Sequence, residues 1–152
     1  MRNHEILMEQ PLLDANGNIA EPGWSRRMLQ KYDRNQIKAP GFRIKEWDYY
    51  LVVGDDFAVA CTISDDGYVG LQSVSLLNFR EGWEHTETIL DAFPMGKLHM
   101  PANSSKGDIV YNNGRLQLQY LLEEGIRILS VSIRTFIREN RFPAILFYSS
   151  RI

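Results

Sequence analysis

The stretch FRIKEWDYYLVVGDDFAVACTIS, residues 42–64, decides the fold, because it has the apolar alternation of a β-hairpin. Both halves are rich in Val, Ile, Tyr and Phe, and the turn residues Gly54 and Asp55 separate them. Two acids, Glu46 and Asp48, interrupt the first half. Whether they face water or the interior depends on the loop length, since a one-residue slip moves every side chain to the other face.

The hairpin allows two registers. A three-residue loop would place Trp47 and Tyr49 on the bulky face of the second strand and leave both acids on a wetter face. A two-residue loop would pair Val53 with Asp56 and place the acids on that bulky face, which comprises Phe57, Val59, Cys61 and Ile63.

The position of Gly54 favours the inward orientation of the acids. Glycine at the first loop position is typical of the type II′ turn that two-residue hairpins adopt. The alternative is a solvated acidic patch that pairs with Arg43 or Lys45, and it stays open because exposed carboxylates are the rule.

Further turn signals recur along the chain at short intervals, and short runs of β-forming residues lie between them. This arrangement predicts an antiparallel sandwich or barrel. The polar stretch Trp24–Asn35 has room for a turn or two of helix. Strands are predicted at 42–53, 57–64, 68–77, 84–90, 97–100, 108–112, 115–122 and 126–134.

Two of these strands are predicted to change face. Val69 and Leu71 share one face, whereas Val74 and Leu76 share the other. Residues 126–133 show a similar switch, since Ile126 and Ile128 are followed by Leu129, Val131 and Ile133. A β-bulge produces such a switch, and bulges bend strands so that a sheet curls. The predicted fold is therefore all-β, with a bulged and curved antiparallel sheet that forms a barrel or sandwich.

Composition narrows the function classes. A chain of 152 residues fits one domain, and a net charge of −2 gives no footprint for nucleic acid or an anionic membrane. Cys61, the single cysteine, suits a reducing compartment. No signal peptide and no membrane span are recognisable, so the predicted location is the cytoplasm. Nucleotide-binding and esterase motifs are missing, and no cofactor is predicted.

The stretch WEHTET, residues 83–88, carries a second polar constellation. On a strand, His85 and Glu87 point the same way and lie about 7 Å apart along the backbone. Such a pair could bind a metal or act as an acid–base pair. The three histidines of the chain show no metal-binding spacing, so no metal site is predicted. The alternative is a polar strand that lines a wet groove or protects a sheet edge.

Five peptides in sequence, FRIKEWDYY, TISDDGYVG, WEHTET, FPMGK and PANSSKGD, resemble a bacterial and fungal family known as a domain of unknown function. That family neighbours the two-domain, lipocalin-like (calycin) group, which includes carotenoid hydratases of the hydroxyneurosporene synthase type. The resemblance implies a lipocalin-like barrel or sandwich that forms the first of two similar domains. It assigns no catalytic residue.

The resemblance also shapes the predicted domain organisation. Residues 1–40 are predicted to be an N-terminal extension that packs on the sheet, and residues 41–137 to be the antiparallel β-domain. Residues 138–152 form a tail that is atypical of the family and is consistent with truncation or a frameshift. Family members continue into a second β-domain. The expected partner is therefore that missing C-terminal domain or, in a homo-oligomer, a second copy of the chain.

Three functions are compatible with these observations. The first is binding of an apolar or amphipathic small molecule, with polar contacts from Glu46, Asp48, Tyr50, His85 and Glu87. The second is a module that only packs on its partner half. The third is half of an enzyme that hydrates or isomerises an apolar substrate, with one of these carboxylates or His85 transferring the proton. Binding is the preferred hypothesis.

Overall fold

A computed structural model describes residues 4–134 and the backbone of Ile145–Ser149. The chain divides into two compact units, residues 1–40 and 41–152, which we call the N-terminal unit and the β-unit. Most of the tail predicted over residues 138–152 lies outside the described residues. No helix in the described ranges is long and apolar enough to cross a membrane.

The N-terminal unit contains little regular structure. Its strands β1 (Gln10–Pro11) and β2 (Gln30–Lys31) form a short parallel pair. In the stretch 24–35, where a turn or two of helix was predicted, helical structure occurs only at the end, as a single 3-10 turn at Arg34–Gln36. The turn signalled by Asn16 and Gly17 is present, with Gly17 at a φ of 83°.

The β-unit consists of two four-stranded antiparallel sheets. Sheet A has the order β3-β4-β5-β6 and sheet B the order β10-β9-β8-β7. The strands of sheet A are β3 (Glu46–Val53), β4 (Phe57–Asp65), β5 (Val69–Asn78) and β6 (Trp83–Ala92). The strands of sheet B are β7 (Ile109–Asn112), β8 (Leu116–Glu123), β9 (Ile126–Ile133) and β10 (Ile145–Ser149).

These sheets confirm the predicted all-β, antiparallel class. The predicted strand at 97–100 is wrong, because these residues form turns. The predicted first strand begins late, at Glu46, because Gly41–Arg43 form a 3-10 turn. Both sheets have free edges, so the described part of the chain contains no closed barrel and the sandwich alternative describes it.

The inner faces of sheets A and B enclose one hydrophobic core. Every second residue along strands of both sheets points into this core, as expected of a sandwich. The buried residues of this core are Val59, Cys61, Ile63, Val74, Ile109, Tyr111, Leu116, Leu118, Tyr120, Leu129, Val131 and Ile133.

The predicted bulges in β5 and β9 are wrong. The ladders of β5 with both neighbours and of β8 with β9 run without a shift in register. Instead, Gln72 and Arg127 occupy inner-face positions and are buried. Gln72 accepts a hydrogen bond from the Ser64 N–H (3.2 Å) and donates one to the Ser64 carbonyl (3.1 Å). Because these polar side chains find partners inside, the strands need no change of face.

A buried carboxylate joins two turns at one end of sheet A. Asp65 is fully buried, and its two oxygens accept hydrogen bonds from the N–H groups of Gly67 (3.1 Å) and Gly96 (2.6 Å). The turn that contains Gly96 also holds Phe93 and Met95 at a φ of 53°. Such values are strained for bulky residues, so the Asp65 contacts help to hold an unfavourable backbone.

Candidate functional site

The β3–β4 hairpin determines the direction of the two acids. Val53 pairs with Ala58, and the N–H of Gly54 donates to the carbonyl of Phe57 at 2.8 Å. The two-residue loop is therefore Asp55–Asp56, and the predicted pairing of Val53 with Asp56 is wrong. The register differs from the predicted one by two residues, so the faces are the same.

Glu46 and Asp48 lie on the inner face of β3, and their side chains are half-buried. The predicted inward orientation is therefore observed, although Gly54 precedes the two-residue loop and is not its first residue. The opposite face of β3 carries bulky apolar side chains instead, and Trp47 is 63% exposed.

Tyr50 follows the acids on the same face and contacts sheet B. Its ring meets the ring of Tyr120 edge to face, with centroids 4.9 Å apart. Tyr120 comes from β8 and is completely buried. Its hydroxyl has no hydrogen-bond partner among the described residues, which is unusual for a buried polar atom.

Arg127 of β9 is a second buried polar residue on the inner face of sheet B, with only 2% of its surface exposed. Its Nη1 donates to the carbonyls of Gly107 (2.9 Å) and Tyr120 (3.0 Å), and its Nη2 donates to the carbonyl of Ser104. The buried Nε has no hydrogen-bond partner among the residues that the structure describes. No salt bridge joins Arg127 to a carboxylate within the described ranges, so its charge is balanced by backbone dipoles and by Asp48 at longer range.

The charges and hydroxyls of this region influence one another. Burial raises the pKa of Asp48, and the positive charge of Arg127 partly opposes that rise. Burial also raises the pKa of Tyr50, and burial followed by the neighbouring Cys61, Asp48 and Tyr50 raises that of Tyr120. We call these residues the Asp48 cluster; its members are Asp48, Tyr50, Cys61, Tyr120 and Arg127.

His85 and Glu87 also lie on the inner face of sheet A, but on β6 at its opposite edge. The pairing row from Tyr50 to Glu87 crosses three strand spacings, which corresponds to about 14 Å. The structure therefore brings Glu46, Asp48 and Tyr50 together on β3 and does not bring the β6 pair to them.

The β6 pair instead connects the two sheets. His85 Nε2 lies 3.3 Å from Glu87 Oε1, and the other oxygen of Glu87 accepts a hydrogen bond from Arg115 Nη2 at 2.7 Å. Arg115 precedes β8 of sheet B, so the contact closes this edge of the sandwich. Nearby, the Tyr111 hydroxyl donates to Asp91 at 3.1 Å and reinforces the same edge.

Sequence reasoning missed Tyr120 and Arg127 as site residues. In the sequence, Leu116, Leu118 and Tyr120 alternate with Gln117 and Gln119, a pattern that predicts that Tyr120 faces the core. The signal for Arg127 was its position in strict alternation with Leu129 and Val131, which the predicted bulge obscured.

The N-terminal unit contains a separate groove of about 500 Å³. Its walls are mainly apolar, and the buried Oε1 of Gln36, one of its lining residues, has no hydrogen-bond partner within the described ranges. No residue of the predicted site lines it. In the described part of the chain, no three His, Cys, Asp or Glu side chains are grouped closely enough to hold a metal ion.

Comparison with known proteins gives a family and no further relative. The family model described as Domain of unknown function (DUF2804) matches residues 3–149. No curated protein and no solved structure matches the chain.

Proposed function

This chain belongs to the DUF2804 family, and we propose that it binds an amphipathic small molecule at the Asp48 cluster. One observation carries the proposal: the Tyr120 hydroxyl and the Arg127 Nε are buried, and neither has a hydrogen-bond partner in the described part of the chain. Leaving such groups unpaired costs about 1–3 kcal/mol each. A ligand oxygen that accepts from either group would recover part of this free energy and would be attracted by the guanidinium charge.

The surroundings of these two donors favour a ligand with an apolar body. The crossed rings of Tyr50 and Tyr120 present aromatic surface, and Val52 packs against the core on the same strand. Asp48 can accept a hydrogen bond from a ligand hydroxyl or, when protonated, donate one. A carboxylate, carbonyl or hydroxyl on an aliphatic or aromatic body fits this combination.

The proposed site includes the β3 residues Glu46, Asp48 and Tyr50 but not the β6 residues His85 and Glu87. A ligand that contacted both sets would have to span about 14 Å between the edges of sheet A, through a packed core. We therefore restrict the proposed site to the β3 edge and assign the β6 pair to the contact between the sheets.

Calorimetric titration with decanoate, decan-1-ol and decylammonium tests the proposed site. We expect decanoate and decanol to bind and decylammonium to bind at least tenfold more weakly, because only the oxygen headgroups accept from Arg127 and Tyr120. Tyr120→Phe removes one donor and should weaken decanoate binding about tenfold. The matched control is Tyr49→Phe, which alters an exposed ring on the outer face.

Equal affinity for all three probes, unchanged by Tyr120→Phe, would contradict the proposal. Such a result would show that the molecules bind through their chains alone, as they would on the exposed outer face of β3.

A second candidate function is acid–base catalysis on an apolar substrate, as half of a hydratase or isomerase. The raised pKa of Asp48 favours it, because a carboxyl group that keeps its proton at higher pH is a better general acid. In that case Asp48→Asn would abolish turnover and leave ligand affinity within about threefold of the wild type. If Asp48→Asn lost ligand affinity as well as turnover, Asp48 would be a ligand-binding residue and not the proton donor.

Four wider expectations accompany the proposal. We propose that the chain is lipocalin-like and forms the first half of a two-domain protein of the cytoplasm, a compartment that the buried thiol of Cys61 suits. We also propose that residues 1–40 pack on the sheet. Limited proteolysis tests this packing, since an extension that is docked should resist cleavage up to the unfolding transition.

A further inference from the structure

The two edge strands of sheet A differ in the side chains that they present on the outer face. On β6 these are the exposed polar residues Glu84, Thr86 and Thr88, followed at one end by the exposed apolar Leu90 and Ala92. On β3 they are uniformly apolar, and each is at least half exposed: Trp47, Tyr49, Leu51 and Val53. We call these four side chains the β3 stripe. Proteins usually protect an edge with outward charge, proline, a bulge or inward-pointing charges, and β3 has the last of these, in Glu46 and Asp48, but none of the others.

The main chain of β3 is also available for pairing. The hydrogen bond from the Gly54 N–H to the Phe57 carbonyl makes these two residues a hydrogen-bonded pair. Such pairs alternate along an antiparallel ladder, so the even-numbered residues of β3 bond to β4. The N–H and C=O groups of the stripe residues therefore point away from β4. No described strand pairs with this edge.

We propose that β3 pairs antiparallel with β3 of a second copy of this chain, which joins the two copies of sheet A into one continuous sheet. The stripe is self-complementary, because a two-fold axis normal to the sheet places apolar side chains beside apolar side chains on one face. This inference rests on the β3 edge and does not depend on the proposed ligand.

The acids on the inner face select the register. Pairing centred on Tyr49 places Asp48 opposite Tyr50 of the second copy, and pairing centred on Tyr50 places Asp48 opposite Val52. Pairing centred on Asp48 would set the Asp48 side chains of the two copies opposite each other, and like charges directly opposite are destabilising. Glu46 and Asp48 therefore oppose slipped registers but permit the central ones, in which the stripes overlap.

The size of the stripe predicts a weak dimer. The exposed parts of its four side chains amount to on the order of 400 Å² per copy, which is within the range of the largest apolar patch on a typical monomer, a patch that is often functional. This area is smaller than that of a standard stable interface, so the dimer should dissociate into monomers at low protein concentration.

Sedimentation equilibrium of the full chain at roughly 1–500 µM tests the proposal, because this range brackets the affinity of a weak dimer. We expect a monomer–dimer equilibrium that Leu51→Lys weakens at least tenfold. Thr86→Lys is the matched control, since it places the same charge on the outer face of the other edge strand, and it should leave the equilibrium unchanged. Val53→Thr, which preserves shape, should weaken the dimer less than Leu51→Lys and supports the assignment if the lysine variant does not fold.

A chain that is monomeric over the whole range would overturn the proposal and leave the β3 edge to a different partner. A dimer that Leu51→Lys and Thr86→Lys weaken equally, or that neither weakens, would overturn it as well.

Discussion

Tyr50 of β3 and Tyr120 of β8 cross edge to face, with an angle of 73° between their ring planes. Through this contact the edge strand of sheet A touches the centre of sheet B. Aromatic pairs of this geometry contribute about 0.5–1.5 kcal/mol beyond the area they bury. The contact also places an aromatic wall beside the unpaired Tyr120 hydroxyl and Arg127 Nε. The proposed site is therefore built on the core of the sandwich and not on a loop.

Replacing Arg127 should show how much the buried guanidinium stabilises the β-unit. Arg127→Met preserves length but removes the donors to the carbonyls of Ser104, Gly107 and Tyr120. We expect the free energy of unfolding to fall by about 2–4 kcal/mol, because buried acceptors lose their partners. Urea denaturation measures the change. Arg43→Met, at an exposed position, should shift it by less than about 0.5 kcal/mol.

Asp48 should make the protein less stable as the pH rises. Its pKa is raised by burial, so the folded state binds more protons than the unfolded state between the ordinary aspartate pKa of about 3.9 and the folded value. Stability therefore decreases as pH increases through this window. Asp48→Asn removes the dependence, so its stability relative to the wild type should increase from pH 3 to pH 7. Parallel denaturation curves for the two proteins would contradict this assignment.

The Asp65 carboxylate should be required for the turns that it joins. An amide has one acceptor oxygen, so Asp65→Asn cannot accept from both Gly67 and Gly96, and its NH2 group would face a second donor. We expect a loss of about 1–3 kcal/mol in the free energy of unfolding. Hydrogen exchange should also show the Gly96 amide exposed to solvent. Asp66→Asn, one residue along, is the control, and an equal effect there would refute the role of Asp65.

Cys61 should not react in the folded protein. It is buried in the core, and burial raises its pKa to about 12, so the reactive thiolate is almost absent at neutral pH. Labelling with a disulfide reagent should therefore follow global unfolding in urea. A new thiol in Ser132→Cys, at an exposed position of β9, should react at once. Rapid labelling of Cys61 without denaturant would show that the core around it opens.

The hairpins of sheet B could be predicted because their signals are local. Asn113-Gly114 and Glu124-Gly125 connect β7 to β8 and β8 to β9 as expected, and Glu124 and Gly125 both have positive φ values. Alternation of apolar side chains was sufficient to place Leu118 and Tyr120 in the core. In these segments local preference and tertiary packing agree.

Gln72 and Arg127 could not be placed by the same reasoning. Alternation assigns a polar residue to the solvent face, so each of them suggested a bulge that the ladders do not contain. Their partners are backbone groups distant in sequence, such as the Ser104 and Gly107 carbonyls for Arg127. Arg127, which sequence reasoning missed, is therefore held by long-range contacts. The inward orientation of Glu46 and Asp48, which it found, depends on the single turn between β3 and β4.

The Asp55–Asp56 loop has a consequence for how this protein can vary. Adding or deleting one residue there would exchange the two faces of β3, so that Trp47 and Tyr49 would enter the sandwich and Asp48 would leave it. Length changes by an even number of residues preserve both faces. Among homologues, insertions at this tip should therefore come in pairs, and the inward acids and the outward aromatic residues should be gained or lost together.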